Sequence, residues 1–206
     1  MMKLFYSIIT ALFFLSCNLP PPKQQTVSAV TKTNCMICHD HSEMQRGPVI
    51  NGLQADYMLQ QIQKFKKRVR GGHNFDHQGA LMYSAVEKLD DELIALSVGE
   101  ISQLTPKKYI RTVRGDLQKG KVIYQQKCIT CHGEKAEGIK ELFTGNMAIL
   151  EDWYLLGQLR NYKYGKRGYD DGDIQGKLMA IQIKDLTDQD FKNLVKFIGS
   201  INNSTH

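Results

Sequence analysis

The sequence predicts an all-α protein built from two tandem modules, and three observations predict it. The pentapeptide Cys-x-x-Cys-His occurs twice, at Cys35, Cys38 and His39 and again 93 positions on at Cys128, Cys131 and His132. After each copy, apolar residues recur at helical spacing, as at Leu59, Ile62 and Phe65 in the first half and Phe191, Leu194, Val195 and Ile198 in the second. A second register runs at an offset of 97, pairing Tyr57 with Tyr154, Gln61 with Gln158, Phe65 with Tyr162, Arg70 with Arg167, Met82 with Met179 and Leu89 with Leu186. The chain reads as a tandem duplication with four extra residues between His132 and the helix that follows.

Two thiols and an imidazole at this spacing suit one cofactor. The sulfurs reach the two vinyl groups of a porphyrin as thioethers, and the adjacent imidazole turns onto the iron. The sequence therefore predicts two covalent haem c groups, one per module, with His39 and His132 as proximal iron ligands. Cys-x-x-Cys also serves zinc ribbons and thioredoxin-like sites, but a four-cysteine zinc site spanning both motifs would leave both histidines without a role. Modules of roughly 90 residues are small for a self-sufficient core, and a large buried apolar group in each supplies what the chain lacks. Of five cysteines, four sit in the motifs and Cys17 stands apart, so no thiol pair remains for a structural disulfide.

In chain order, residues 1–17 read as an export signal, with Lys3 ahead of an apolar run from Leu4 to Leu15 that is too short to span a bilayer. Phe14-Leu15-Ser16-Cys17 resembles a bacterial lipobox, which makes Cys17 the expected lipidation site and residues 18–30, with Pro20, Pro21 and Pro22, a stiff tether to a membrane. The first module is expected over 31–104, with one helix over Asp56 to Arg68 and a last one carrying Ile94, Val98 and Ile101 behind the acids Asp90 and Asp91. Residues 105–114 read as a linker. The second module, 115–202, opens with a helix from Leu117 to Lys127, continues through a glycine-punctuated loop to a helix over Glu151 to Tyr164, and ends in a helix started by a Thr187/Asp190 capping box.

A haem iron held by one histidine is open to small molecules unless the protein supplies a second strong ligand, which restricts it to electron transfer. Met82 and Met179 are expected to be those ligands. Each follows a leucine, each stands seven positions before Leu89 or Leu186, and each is expected in an extended loop past the middle helix. A thioether is soft and raises the reduction potential relative to a second imidazole. His73 and His77 are the rivals in the first module, without repeat counterparts; His41 lies too close to the attachment motif, while His206 and Met147 are the rivals in the second.

Residues 27–201 resemble the tandem class I c-type cytochromes, the dihaem group called cytochrome c-four. The likeness rests on Gly115-Asp116, Lys119-Gly120-Lys121, Tyr124, Cys128-x-x-Cys131-His132-Gly133, Gln158-Leu159 and Leu178-Met179 ahead of Leu186-Thr187-Asp188. It implies two all-α cytochrome c domains in which N- and C-terminal helices cross beside the haem, Gly120 and Tyr124 meeting the helix that bears Phe191 and Phe197. It also implies that the Pro48 carbonyl accepts a hydrogen bond from His39. The first module departs from the pattern at Asp40, where glycine is usual, and at Val27 and Thr31, which stand where the repeat places Gly120 and Tyr124. The second lacks the proline, so another carbonyl is expected to serve His132.

The formal charge of +6 falls to +5 once Lys3 is removed with the signal, and four propionates would offset most of it, so nucleic acid is not an expected partner. The expected function is a dihaem carrier passing single electrons from respiratory-chain donors, such as a quinol-oxidising complex, to a membrane oxidase or periplasmic reductase. A catalytic dihaem oxidoreductase acting on a small oxyanion is the alternative. Lys64, Lys66, Lys67, Arg68 and Arg70, with Lys107, Lys108, Arg111 and Arg114, form the candidate basic docking face, although Arg70 and Arg167 could instead pair with propionates.

Overall fold

The computed structural model describes residues 26–40 and 47–203. The expected signal segment, Cys17, most of the tether, His41 and His206 lie outside the described residues. Every regular element among the described residues is helical. In the first module α1 (Ala29–Thr31) passes through a π-helical turn (Lys32–Met36) into α2 (Ile37–His39), followed by α3 (Ala55–Lys66), α4 (His77–Val86) and α5 (Asp91–Gln103). The second module comprises α6 (Leu117–Lys127), α7 (Ile129–His132), a 3₁₀ turn (Lys140–Leu142), α8 (Asp152–Lys163), α9 (Ile174–Ile183) and α10 (Asp188–Asn203).

Most helix starts follow the sequence cues. Asp90 caps α5 by accepting from Leu93 N at 2.6 Å, Asp116 caps α6 through Lys119 N at 3.0 Å, and the capping box closes reciprocally, Thr187 N to Asp190 Oδ2 at 2.9 Å and Asp190 N to Thr187 Oγ1 at 3.2 Å. The extended loops expected around Met82 and Met179 are instead helices α4 and α9. Asp76 and Asp173 start them, each Oδ1 accepting from a glycine N–H three residues on, Gly79 or Gly176, at 2.9 Å. The glycines that suggest a loop serve close packing: a Cβ on Gly71 or Gly168, both at positive φ (78° and 72°), would strike the carbonyl of Gly79 or Gly176.

The two modules solve their main helix crossing differently. In the second, α6 lies across α10 with the Gly120 backbone so close that a Cβ there would run into the Asn193 carbonyl, while the rings of Tyr124 and Phe197 meet at a tilt with centroids 5.3 Å apart and the Tyr124 hydroxyl donates to Gly133 O at 2.6 Å. Phe191, Leu194, Val195 and Ile198 of α10 are buried, each worth about 1.5–3 kcal/mol relative to exposure. In the first, α1 meets α5 through hydroxyls: buried Thr31 donates from Oγ1 to Ser97 Oγ at 3.1 Å, and Ser28 Oγ donates to Glu100 at 2.8 Å.

The segment between α5 and α6 has no regular structure and is held against the second module. Tyr109 donates its hydroxyl to Leu150 O, and Asp152 Oδ2 accepts from Thr112 N and Val113 N at 2.5 and 2.7 Å. Directly between modules, buried Glu151 accepts from Val49 N at 2.8 Å.

Candidate haem sites

The first attachment motif sits where helical geometry is broken. Cys35 lies in the π-helical turn, a form frequent at functional sites, and Cys38 and His39 belong to α2. In the second module, Cys128 ends α6 at φ −117°, and α7 carries Cys131 and His132 before Gly133 turns the chain at φ 80°. That positive φ requires glycine. Asp40 occupies the corresponding place in the first module at φ −106°, which any residue adopts, and its carboxylate and carbonyl are engaged by Lys107 Nζ. The departure from glycine therefore carries no strain.

His39 Nδ1 donates to the Pro48 carbonyl at 2.7 Å, as the resemblance implies. The bond fixes the tautomer and leaves Nε2 with its lone pair. Gly47 makes this approach possible, since a Cβ there would sit 2.7 Å from the imidazole carbon Cε1. His132 differs: its Nδ1 is buried with no hydrogen-bond partner among the described residues, so the expected second carbonyl is not found. Burial holds both imidazoles below their ordinary pKa, His132 down to about 4, and lifts the Cys128 thiol to about 12. At neutral pH the imidazoles are uncharged, the form that ligates a metal.

A cavity of about 620 Å³ opens beside the first motif, within the range of small-molecule and cofactor pockets, roughly 300–1,000 Å³. Cys35, Cys38 and His39 line it together with Met82, and Leu53, Phe65, Ile94 and Ile101 make its apolar wall. His73 and His77 do not reach it: His73 lies against Phe75 and Tyr169 and takes the Phe75 N–H, and exposed His77 begins α4. Met58, buried on α3, is a second thioether in the wall that sequence reasoning missed. Its repeat partner is Leu155, so the offset that marks Met82 is silent about it. In the second module, Met179 is half-buried on α9 and packs against the core, as does Met147. Among the described residues no group of three or more His, Cys, Asp or Glu side chains converges as a metal site.

One end of the cavity is polar and is shared by both modules. Arg70, buried, donates to Gln61 Oε1 at 2.9 Å, Tyr154 Oη at 2.9 Å and Gln158 Oε1 at 3.0 Å; Arg167, also buried, donates to Gln158 Oε1 and Gln61 Oε1, each at 2.9 Å. Each guanidinium thus bonds the glutamine of its own repeat and that of the other. Burial would raise the Tyr154 phenol, but the charges of Arg70 and Arg167 outweigh it and leave the group below its usual value. Neither arginine is ion-paired with a carboxylate among the described residues, and the Nε of Arg167 has no partner there. Buried guanidinium groups of this kind suit anionic substituents such as propionates. The first site thus fits haem: thiols, a neutral imidazole, an apolar cavity and a cationic end.

Within the candidate docking face Lys64 pairs with Asp173, Lys66 with Asp91 and Lys107 with Asp40, Arg68 lies over the Tyr83 ring and Arg70 is interior, while Lys67, Lys108 and Arg114 are exposed.

The helical fold and its paired motifs define the architecture of a class I c-type cytochrome with two modules. Residues 117–202, the second module, match the family described as Cytochrome c. Among solved structures the chain is similar to cytochrome c4 of Acidithiobacillus ferrooxidans, 19% identical over 82% of this chain and 99% of that one at a TM-score of 0.65, and to reduced recombinant cytochrome c4 of Pseudomonas stutzeri, 17% identical over 85% and 98% at 0.63. It is also similar to the thiosulfate dehydrogenase TsdBA of Marichromatium purpuratum, 20% identical over 81% of this chain but 36% of that one, with a TM-score of 0.64. No match to the chain is found among curated proteins.

Proposed function

We propose that the chain is a dihaem electron carrier, with haem c on Cys35 and Cys38 in a first domain over 31–104 and on Cys128 and Cys131 in a second over 115–202. The observation that carries this reading is the gathering of Cys35, Cys38, His39 and Met82 around one cavity, repeated in sequence by Cys128, Cys131, His132 and Met179. When bound, haem supplies a one-electron iron couple. The chain's own residues do the rest. His39 and His132 would offer a neutral nitrogen to the iron, Met82 and Met179 a thioether that would exclude small molecules from it, and Arg70 and Arg167 would bond the propionates. The apolar wall keeps water away and favours the less charged reduced state.

Thiosulfate dehydrogenase similarity keeps the oxyanion alternative in view, but the four described cysteines all belong to attachment motifs, which leaves no described thiolate for an active iron. Lipidation at Cys17 would hold the protein at a membrane facing the periplasm, where a quinol-oxidising complex and an oxidase or reductase are the fitting partners. Pyridine haemochrome analysis tests the cofactor count: two haems per chain are expected, falling to one in Cys35→Ala/Cys38→Ala. Carbon monoxide binding to the reduced wild-type protein would instead favour the catalytic reading.

A further inference from the structure

We infer that Lys64 of the first module is a positioning residue for the Met179 ligand of the second; the inference rests on the ligand reading above. Lys64 leaves α3 and crosses the module boundary to place its ammonium 2.6 Å from Asp173 Oδ1 and 3.4 Å from Gln175 Oε1. The Asp173 side chain is 1% exposed, and the same oxygen accepts the Gly176 N–H that starts α9. Three residues further along α9 stands Met179. The ammonium therefore neutralises a buried carboxylate whose role is to begin the helix that carries the thioether. There is no slack at this end of the helix, because Gly168 backs onto the Gly176 carbonyl and Gly176 onto the Asp173 carboxylate with no room for a Cβ at either.

The first module lacks this brace. Asp76 caps α4 in the same way, but the residue at Lys64's repeat position is Asn161, and no ammonium pairs with Asp76 among the described residues. One module thus holds the other's ligand helix, without a reciprocal ion pair among the described residues. Removing Lys64 leaves the Asp173 carboxylate buried and unpaired, a costly arrangement that α9 relieves by moving its N-terminal turn toward water. Met179 then leaves the iron more easily, whereas Met82 is unaffected.

The test is an imidazole titration of the oxidised dihaem protein, read as loss of the sulfur-to-iron absorption band, with Met82→Ala and Met179→Ala assigning each step to a haem. In Lys64→Gln the second haem is expected to bind imidazole about tenfold or more tightly than in the wild type, the first haem to be unchanged, and Lys64→Arg to restore the wild-type value. Asp173→Asn retains a capping oxygen and removes the charge that Lys64 neutralises, so Lys64→Gln/Asp173→Asn is expected to lose the second-haem shift and to fold even should Lys64→Gln alone fold poorly. Equal effects on both haems, no effect on either in Lys64→Gln, or a second-haem shift that persists in the double variant would overturn the inference. A wild-type spectrum identical to that of Met179→Ala would sink the ligand reading itself, which separates the two failures.

Discussion

The two modules share one fold and reach it with different chemistry. The second crosses its helices by a bare Gly120 backbone and an aromatic pair, the first by the hydroxyls of Thr31 and Ser97. The first secures its imidazole on Pro48, while His132 has no such partner among the described residues. The first also borrows from the second: Trp153, Tyr154 and Gln158 help line its cavity, and Glu151 holds its Val49 N–H. The family likeness covers residues 117–202, and the first module is recognised by motif, repeat and fold.

Substitutions can break this contrast, and the largest effect is expected at the close crossing. Gly120→Val drives a branched side chain into the Asn193 backbone and should cost about 3 kcal/mol, seen as a lowered denaturant midpoint for the second module. At the matching place in the first module Val27 is already accommodated, half-buried. Next comes Glu151→Ala, which strips a charged acceptor from the buried Val49 N–H and should cost about 2 kcal/mol, with the first module's protection from hydrogen exchange falling first.

A smaller effect is expected from Tyr109, whose phenol burial pushes up to about 12. A raised pKa contributes stability that is complete below the unfolded value near 10 and is lost as pH climbs through 12. Tyr109→Phe should therefore cost about 1 kcal/mol at neutral pH through the lost bond to Leu150 O, and flatten the alkaline unfolding profile between roughly pH 10 and 12. The smallest change is expected for Thr31→Val with Ser97→Ala. Removing both partners of a buried hydroxyl pair leaves nothing unsatisfied between them, and thermal melting should shift by less than about 0.5 kcal/mol equivalent, whereas Thr31→Val alone should cost more.

Much of this was legible in the residues. The attachment motifs, the α6 boundaries and the Thr187/Asp190 box follow from short-range patterns that chain geometry enforces locally, and the Pro48 contact is one that the family resemblance implies. Helices α4 and α9 were not, because Gly71, Gly79, Gly168 and Gly176 weigh against a helix in isolation and make sense only once two backbones are seen to touch. Asp76 and Asp173, three residues ahead of a glycine N–H, were the signal that could have found them. The Arg70/Arg167 lattice and the Lys64 pair join residues 84 to 109 positions apart across the modules. The repeat marks the members of the lattice without showing that each arginine reaches into the other half.

Whether the two proposed haem sites share one ligand set is tested most directly by low-temperature EPR of the oxidised protein. Two low-spin ferric signals of equal weight and no high-spin component are expected. A high-spin signal integrating to one iron per chain would contradict a shared set, since that iron would lack its methionine and stand open to a substrate.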